Sequence, residues 1–245
     1  VLLVTPRKDA TLIAVTALLR GGSVADTPSK PGLASITAGL LEKGAGARDA
    51  FAFADAVEGA GGSFTAAAGT EPITVSGQFL AKDQELMIGL LADALERPRF
   101  DAAEFDSLRK RRIEELKAAK DSDPSGLIRL YGRRFLFGDH PYGSPASGSE
   151  RSLAAITRED VLAYNRANFG ADRLTLIFAG DVDADALTKA VTRAFSFLQP
   201  IDALVRGFAG LQVRTVDGTD YFAARRTAAK VVSHVRAGVG PALIR

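Results

Sequence analysis

At 245 residues, with 47% apolar and 24% charged side chains, the chain is long enough to bury a substantial core and has an ordinary globular composition. A net charge of +2 is too near neutral for a main partner built on phosphate, which excludes nucleic-acid binding as the leading function. The absence of cysteine removes disulfide scaffolds, thiolate nucleophiles and Cys-bound metals together.

The chain opens on Val1–Val4, an apolar β-rich run with no basic segment before it. Its compartment is therefore the cytoplasm, or a leader lies outside these residues. No apolar run approaches the ~20 residues a membrane helix needs, so no membrane span is expected. A charged turn, Pro6–Asp9, separates this run from a second, Thr11–Leu19, and the two read as a hairpin-like pair.

A helix is predicted over Pro31–Lys43, with Pro in its first turn and Gly44 beyond its end. Leu33, Ile36, Leu40 and Leu41 recur there at helical spacing and predict a core face. A second helix over Asp49–Glu58 is stopped by Gly59 and the Gly61-Gly62 pair. Ser63–Ala67 and Ile73–Phe79 read as paired strands joined through Gly69–Pro72. Helices follow over Asp83–Glu96, Ala102–Lys120 and Pro124–Phe137. The basic run Arg109–Arg112 precedes Glu114 and Glu115, which reads as a solvated helix face laced by pairs one turn apart.

Gly138–Gly143 is a turn-rich loop, and Thr157 begins a helix with Asp160 completing a capping box. Leu174–Ala179 is an apolar strand, and Asp183–Phe197 an amphipathic helix. This mixture predicts an α+β fold, an antiparallel-rich sheet covered by helices, over residues 1–199. Residues 200–245 hold only short strand-like runs, Leu211–Val216 and Val231–Val235, and read as a linker or the start of an incomplete second unit.

Several segments, in order, resemble one half of an M16 (insulinase/pitrilysin-type, M16B) peptidase, the half that carries the active-site helix. Leu18-Leu19-Arg20-Gly21-Gly22-Ser23 resembles the strand end before that helix, and Pro31-Gly32-Leu33-Ala34 its beginning. Gly61-Gly62-Ser63-Phe64-Thr65-Ala66 resembles the family's Gly-Gly-x-x-Asn-Ala strand. Gly138-Asp139-His140-Pro141-Tyr142-Gly143 resembles its His-Pro-Tyr-Gly loop, and Thr175–Val182 the strand and turn that follow. The implied fold is that of the M16 and LuxS-like metallohydrolases.

Active members of the family carry His-x-x-Glu-His on the first helix. Histidines four apart share one helix face and bind Zn²⁺, while the glutamate activates water. Matched outward from Gly32-Leu33-Ala34, those positions hold Ser35, Ala38 and Gly39, none of which serves that chemistry. The family's third ligand, a glutamate on a later helix, matches Glu115. A single carboxylate cannot hold zinc, which takes three protein ligands at a catalytic site. The two histidines do not replace the set: His140 belongs to a loop shared by catalytic and non-catalytic members, and His234 has no partner at ligand spacing. Neither a nucleophile elbow nor a phosphate-binding loop is present.

The resemblance therefore implies a non-catalytic homologue, with no catalytic residue, metal or cofactor of its own. Its implied partner is a catalytic M16 chain, or a second M16-like half, closing around an extended peptide. Ser63, Phe64, Thr65, Ala66 and Ala67 form the strand whose edge would take that peptide through main-chain hydrogen bonds. Two other readings stay open: a zinc metalloendopeptidase whose ligands lie elsewhere, and a structural or assembly protein that keeps the fold, as the core subunits of the respiratory bc1 complex do. Between periplasm and cytoplasm, the periplasm is slightly preferred.

Overall fold

The computed structural model describes residues 1–122, 124–195, 212–214 and 242–244. Its contacts divide the chain into two compact units, Val1–Phe197 and Leu198–Arg245.

The first unit is built on five strands: β1 (Leu2–Pro6), β2 (Leu12–Arg20), β3 (Ser63–Ala68), β4 (Pro72–Leu80) and β5 (Leu174–Gly180). Their order across the sheet is β1-β5-β2-β4-β3. Every neighbouring pair is antiparallel except β1 with β5. β2 alternates cleanly, burying Ile13, Val15, Ala17 and Leu19 on one side. Leu176 and Phe178 of β5, and Ile73, Val75 and Phe79 of β4, join them in the core. A period of two with one face buried is the mark of an antiparallel sheet covered on a single face.

Among the described residues, eight α-helices accompany the sheet: α1 (Leu33–Leu40), α2 (Ala50–Gly59), α3 (Gln84–Glu96), α4 (Ala102–Ser122), α5 (Pro124–Phe137), α6 (Glu150–Ala155), α7 (Arg158–Asn168) and α8 (Ala184–Ala194). Asp49 and Asp183 accept hydrogen bonds from Ala52 N and Ala186 N, which explains where α2 and α8 begin. Thr157 and Asp160 form the anticipated capping box of α7. No helix among the described residues is long and apolar enough to cross a membrane.

The expected pairing of the first two strands is overturned. β1 and β2 do not touch as a hairpin, because β5 lies between them. Leu174, Leu176 and Phe178 bring more buried apolar surface to that slot than β1, where Leu3 is half exposed. Burial decides the central position, and proximity in sequence does not.

α1 is also shorter than its pattern predicts. Gly32 adopts φ +97°, a left-handed conformation that ends helical geometry on its N-terminal side and that a side chain rarely tolerates. Asp26 binds the amides of Gly32 and Ala34 at 2.7 and 2.8 Å, supplying from a distance the cap this helix lacks. Its four anticipated apolar residues, Leu33, Ile36, Leu40 and Leu41, are all buried. α6, a short helix with its own Ser149–Ser152 capping box, had no periodic signature to predict it.

The second unit shows two short strands, β6 (Gln212–Arg214) and β7 (Ala242–Ile244), paired in parallel. β6 falls within the anticipated run Leu211–Val216. Val231–Val235 and His234 lie outside the described residues.

Candidate functional site

α1 packs against α4, α7, β3 and β4, so the two helices bearing the candidate ligand positions face each other. Ser35 is half-buried on α1, whereas Ala38 and Gly39 are buried. A Cβ at Gly39 would lie 3.0 Å from Leu108 Cδ2 and 3.8 Å from Arg112 Nη2, both on α4. The helices therefore meet across a glycine, with no room for a larger residue unless Leu108 moves.

Glu115 sits one turn beyond Arg112. Its carboxylate accepts a 3.0 Å hydrogen bond from Arg112 Nη1 and lies 3.6 Å from Arg111 Nε. Both ion pairs are about half exposed, so each contributes no more than about 1 kcal/mol to stability. Their effect on the site is larger, because the carboxylate matched to a ligand position is already engaged by two cations. The basic run thus forms the predicted pairs one turn apart. Arg109 joins them, bonding Asp106 at 3.0 Å and the Ile156 carbonyl at 3.0 Å.

Ser35, Ala38, Gly39 and Glu115 do not make a zinc site. Alanine and glycine offer no side-chain donor atom, and the carboxylate is held by guanidinium groups. Among the described residues, no three His, Cys, Asp or Glu side chains gather as a metal-holding group.

β3 lies at the sheet edge. Ser63, Thr65 and Ala67 point to solvent, while Phe64 and Ala66 turn toward the helices. Phe64 meets Phe53 of α2 edge to face, with ring centroids 5.1 Å apart. Along an edge strand, alternate amides point away from the neighbouring strand and stand ready to pair with an added chain. At Ala66 that amide is already used: it donates to Glu42 Oε1 at 2.6 Å. A peptide adding along this edge would have to displace Glu42.

His140 is built into its own loop. Its Nδ1 accepts from Tyr142 N at 3.2 Å, and its ring stacks edge-on to Tyr142 at 4.9 Å. Tyr142 in turn donates its hydroxyl to Glu71, a short contact that raises the phenol above its ordinary pKa. Arg133 reaches Thr70 Oγ1 and the Tyr142 carbonyl, both at 3.2 Å. Glu71 and its neighbours form the β3–β4 turn, whose carbonyls accept from the amides of Gly21, Gly22, Ser23 and Val24. The loop therefore clamps the tip of the β3–β4 hairpin to the end of β2.

Beside α1, burial pushes the Asp26 carboxyl up to about 6, despite the amides of Ala34, Gly32 and Leu33 that favour its charged form. Tyr164 donates to the carbonyls of Gly21 and Gly22 at 2.9 and 3.0 Å, and burial raises its pKa.

Arg112 and Glu42 escaped sequence reasoning. Both act through contacts between different elements, Arg112 opposite Gly39 and Glu42 on the Ala66 amide, which no local pattern in the sequence marks.

Comparison with known proteins places this geometry in context. Residues 2–140 match the family described as Insulinase (Peptidase family M16), and residues 155–228 match the Peptidase M16 inactive domain. The second match runs past residue 199, where the sequence motifs end. An uncharacterized zinc protease of Mycobacterium tuberculosis is 30% identical over 186 residues, covering 76% of this chain and 41% of that protein. A non-peptidase homolog of Helicobacter pylori is 26% identical over 179 residues, covering 73% and 41%. The chain spans less than half the length of these relatives. In fold it is similar to the M16 inactive domain of Pseudomonas fluorescens, with a TM-score of 0.73 and 21% identity over 89% of this chain and 54% of the other. A protease from Helicobacter pylori superposes with a TM-score of 0.72 at 20% identity, covering 89% and 55%.

Proposed function

The chain belongs to peptidase family M16, and from that premise we propose that it acts as a non-catalytic subunit, pairing with a catalytic homologue or a second M16-like half to wall a peptide chamber. The observation that carries this reading is the seam between α1 and α4. Ser35, Ala38 and Gly39 supply no ligand set there, and Glu115 is spoken for by Arg111 and Arg112. At these matched positions neither the glutamate that would act as general base nor the histidine pair that would hold a metal is present.

The relatives divide on the point: the mycobacterial one is named a zinc protease and the Helicobacter one a non-peptidase homolog. The donor atoms on this chain's own helix favour the second kind. Incubated alone with a quenched-fluorescence peptide library and zinc, the chain should show no cleavage. Co-expressed with an M16 chain that carries an intact His-x-x-Glu-His, it should co-purify and raise that chain's turnover. Cleavage by the isolated chain, or no association with such a partner, refutes the proposal.

A second reading, a structural subunit that keeps the fold without taking peptide, is favoured by the Glu42 contact on Ala66. The readings separate on Glu42→Ala in the assembled pair. A chamber wall should gain peptide affinity when the edge amide is freed, whereas a purely structural subunit should not.

A further inference from the structure

The seam is more than a site with its ligands deleted. Gly39 and Glu115 occupy matched ligand positions on facing helices, and one guanidinium lies at both. Arg112 Nη1 reaches Glu115 Oε2 at 3.0 Å, while Nη2 lies 3.8 Å from where a side chain at position 39 would start. Its Nε is buried without a hydrogen-bond partner, so the guanidinium rests with one edge against the α1–α4 packing layer while the side chain keeps 41% of its surface exposed. Arg111 also contacts Glu115, yet from the more exposed side and at 3.6 Å.

We propose that Arg112 is a built-in cation that stands where the family's metal would sit, neutralising Glu115 and closing the vacated site against zinc. The inference rests on the reading that Ser35, Ala38, Gly39 and Glu115 are the matched ligand positions. Its physical content is separate from that reading. The guanidinium lies within van der Waals reach of the side-chain position at residue 39, and a fixed positive charge next to the one remaining carboxylate repels a dication that would otherwise be drawn to it. Reintroducing the missing ligands is then insufficient to restore metal binding, because the site is filled as well as stripped.

Titration with zinc alone tests this, read as bound zinc per chain and as dissociation constant, on full-length variants shown by circular dichroism to melt cooperatively. Ser35→His, Ala38→Glu and Gly39→His are combined with and without Arg112→Ala. The variant lacking Arg112 should hold about one zinc per chain, and do so at least ~100-fold more tightly than the variant that keeps it, the scale of repulsion between near-contact cations. Arg111→Ala in the same background removes the same formal charge and should leave zinc affinity within a few-fold of the parent. Equal affinity with and without Arg112, equal rescue by Arg111→Ala, or no zinc on any variant overturns the proposal. If the ring at position 39 prevents folding, Leu108→Ala is added to every member to relieve the 3.0 Å contact, and the comparison is unchanged. One zinc per chain on the unaltered protein is a different failure, since it overturns the non-catalytic reading on which the proposal stands.

Discussion

The α1–α4 seam and the clamp at the hairpin tip lie on the same unit and have opposite characters. At the seam, side chains matched to chemistry are small or already paired, and two helices close over the gap with Gly39 against Leu108. At the clamp, Gly21, Gly22, Glu71, Arg133, His140 and Tyr142 remain joined by backbone and side-chain hydrogen bonds. The contrast shows which parts of this fold are structural and which are dispensable. A seam of small side chains is closed by packing and an ion pair. Loss of the clamp would leave carbonyls and amides without partners at the end of the sheet, which is costly wherever they are buried.

Four measurements sharpen or break that contrast. The largest effect belongs to Leu40, fully buried on the core side of α1. Leu40→Ala should lower stability by roughly 2–5 kcal/mol in urea melts. A loss below about 1 kcal/mol would mean that α1 as a whole, and not only its site face, is dispensable.

Asp26 joins the two regions, since it caps α1 from the loop that follows the clamped end of β2. Its folded-state pKa, pushed up to about 6, lies above the ordinary carboxyl value of 3.8. The native state therefore holds this proton more tightly than the unfolded state does. Stability linked to Asp26 is greatest below about pH 4 and falls as pH rises through about 6, by roughly 3 kcal/mol in all. Asp26→Asn should flatten that part of the profile, measured as urea midpoints across the same window. An unchanged difference between the ends of the window would show that Asp26 does not titrate there.

Gly22 tests the clamp directly. A Cβ there would lie 2.5 Å from the Gly69 carbonyl oxygen and 2.7 Å from that of Thr70, both backbone atoms that cannot swing aside. Gly22→Ala should cost about 1–3 kcal/mol. Gly39→Ala is its counterpart at the seam. Its Cβ meets only the end of a leucine side chain, and alanine is the better helix former, so the net change should stay within about 1 kcal/mol. If Gly39→Ala proved the costlier of the two, the seam would be the demanding region and the contrast would be reversed.

Much of this organisation was legible from residue pattern alone. β-rich and apolar runs located β2, β4 and β5, a glycine stop bounded α2, Thr157 and Asp183 marked the starts of α7 and α8, and the apolar face of α1 was read correctly. The α+β class followed from them, and ordered short motifs pointed to the family. What failed was long-range. Nothing local to Val1–Leu19 says that a strand from residue 174 onward will part β1 from β2, because that choice compares buried areas across the whole chain. Likewise Arg112 looks like any solvated arginine until Gly39 is brought opposite it. Glu42 looks like any residue after a helix until Ala66 N arrives at 2.6 Å. These contacts join different elements, and one-dimensional periodicity carries no information about them.

The place of β5 has a consequence for how the protein comes into being. β2, β4 and β3 are neighbours separated by modest stretches of chain and can associate early during synthesis. β1 has β5 as its sheet neighbour among the described residues: the Val1 nitrogen donates to the Leu174 carbonyl, 173 residues away. Until residues 174–180 have left the ribosome, β1 has no strand to join and β2 presents a bare edge. Closing so long a loop is slow, and an unpaired strand edge invites association with other nascent chains while it waits. Premature termination anywhere before Leu174 should therefore yield a sheet open through its middle, prone to aggregate even though most of its helices are already encoded.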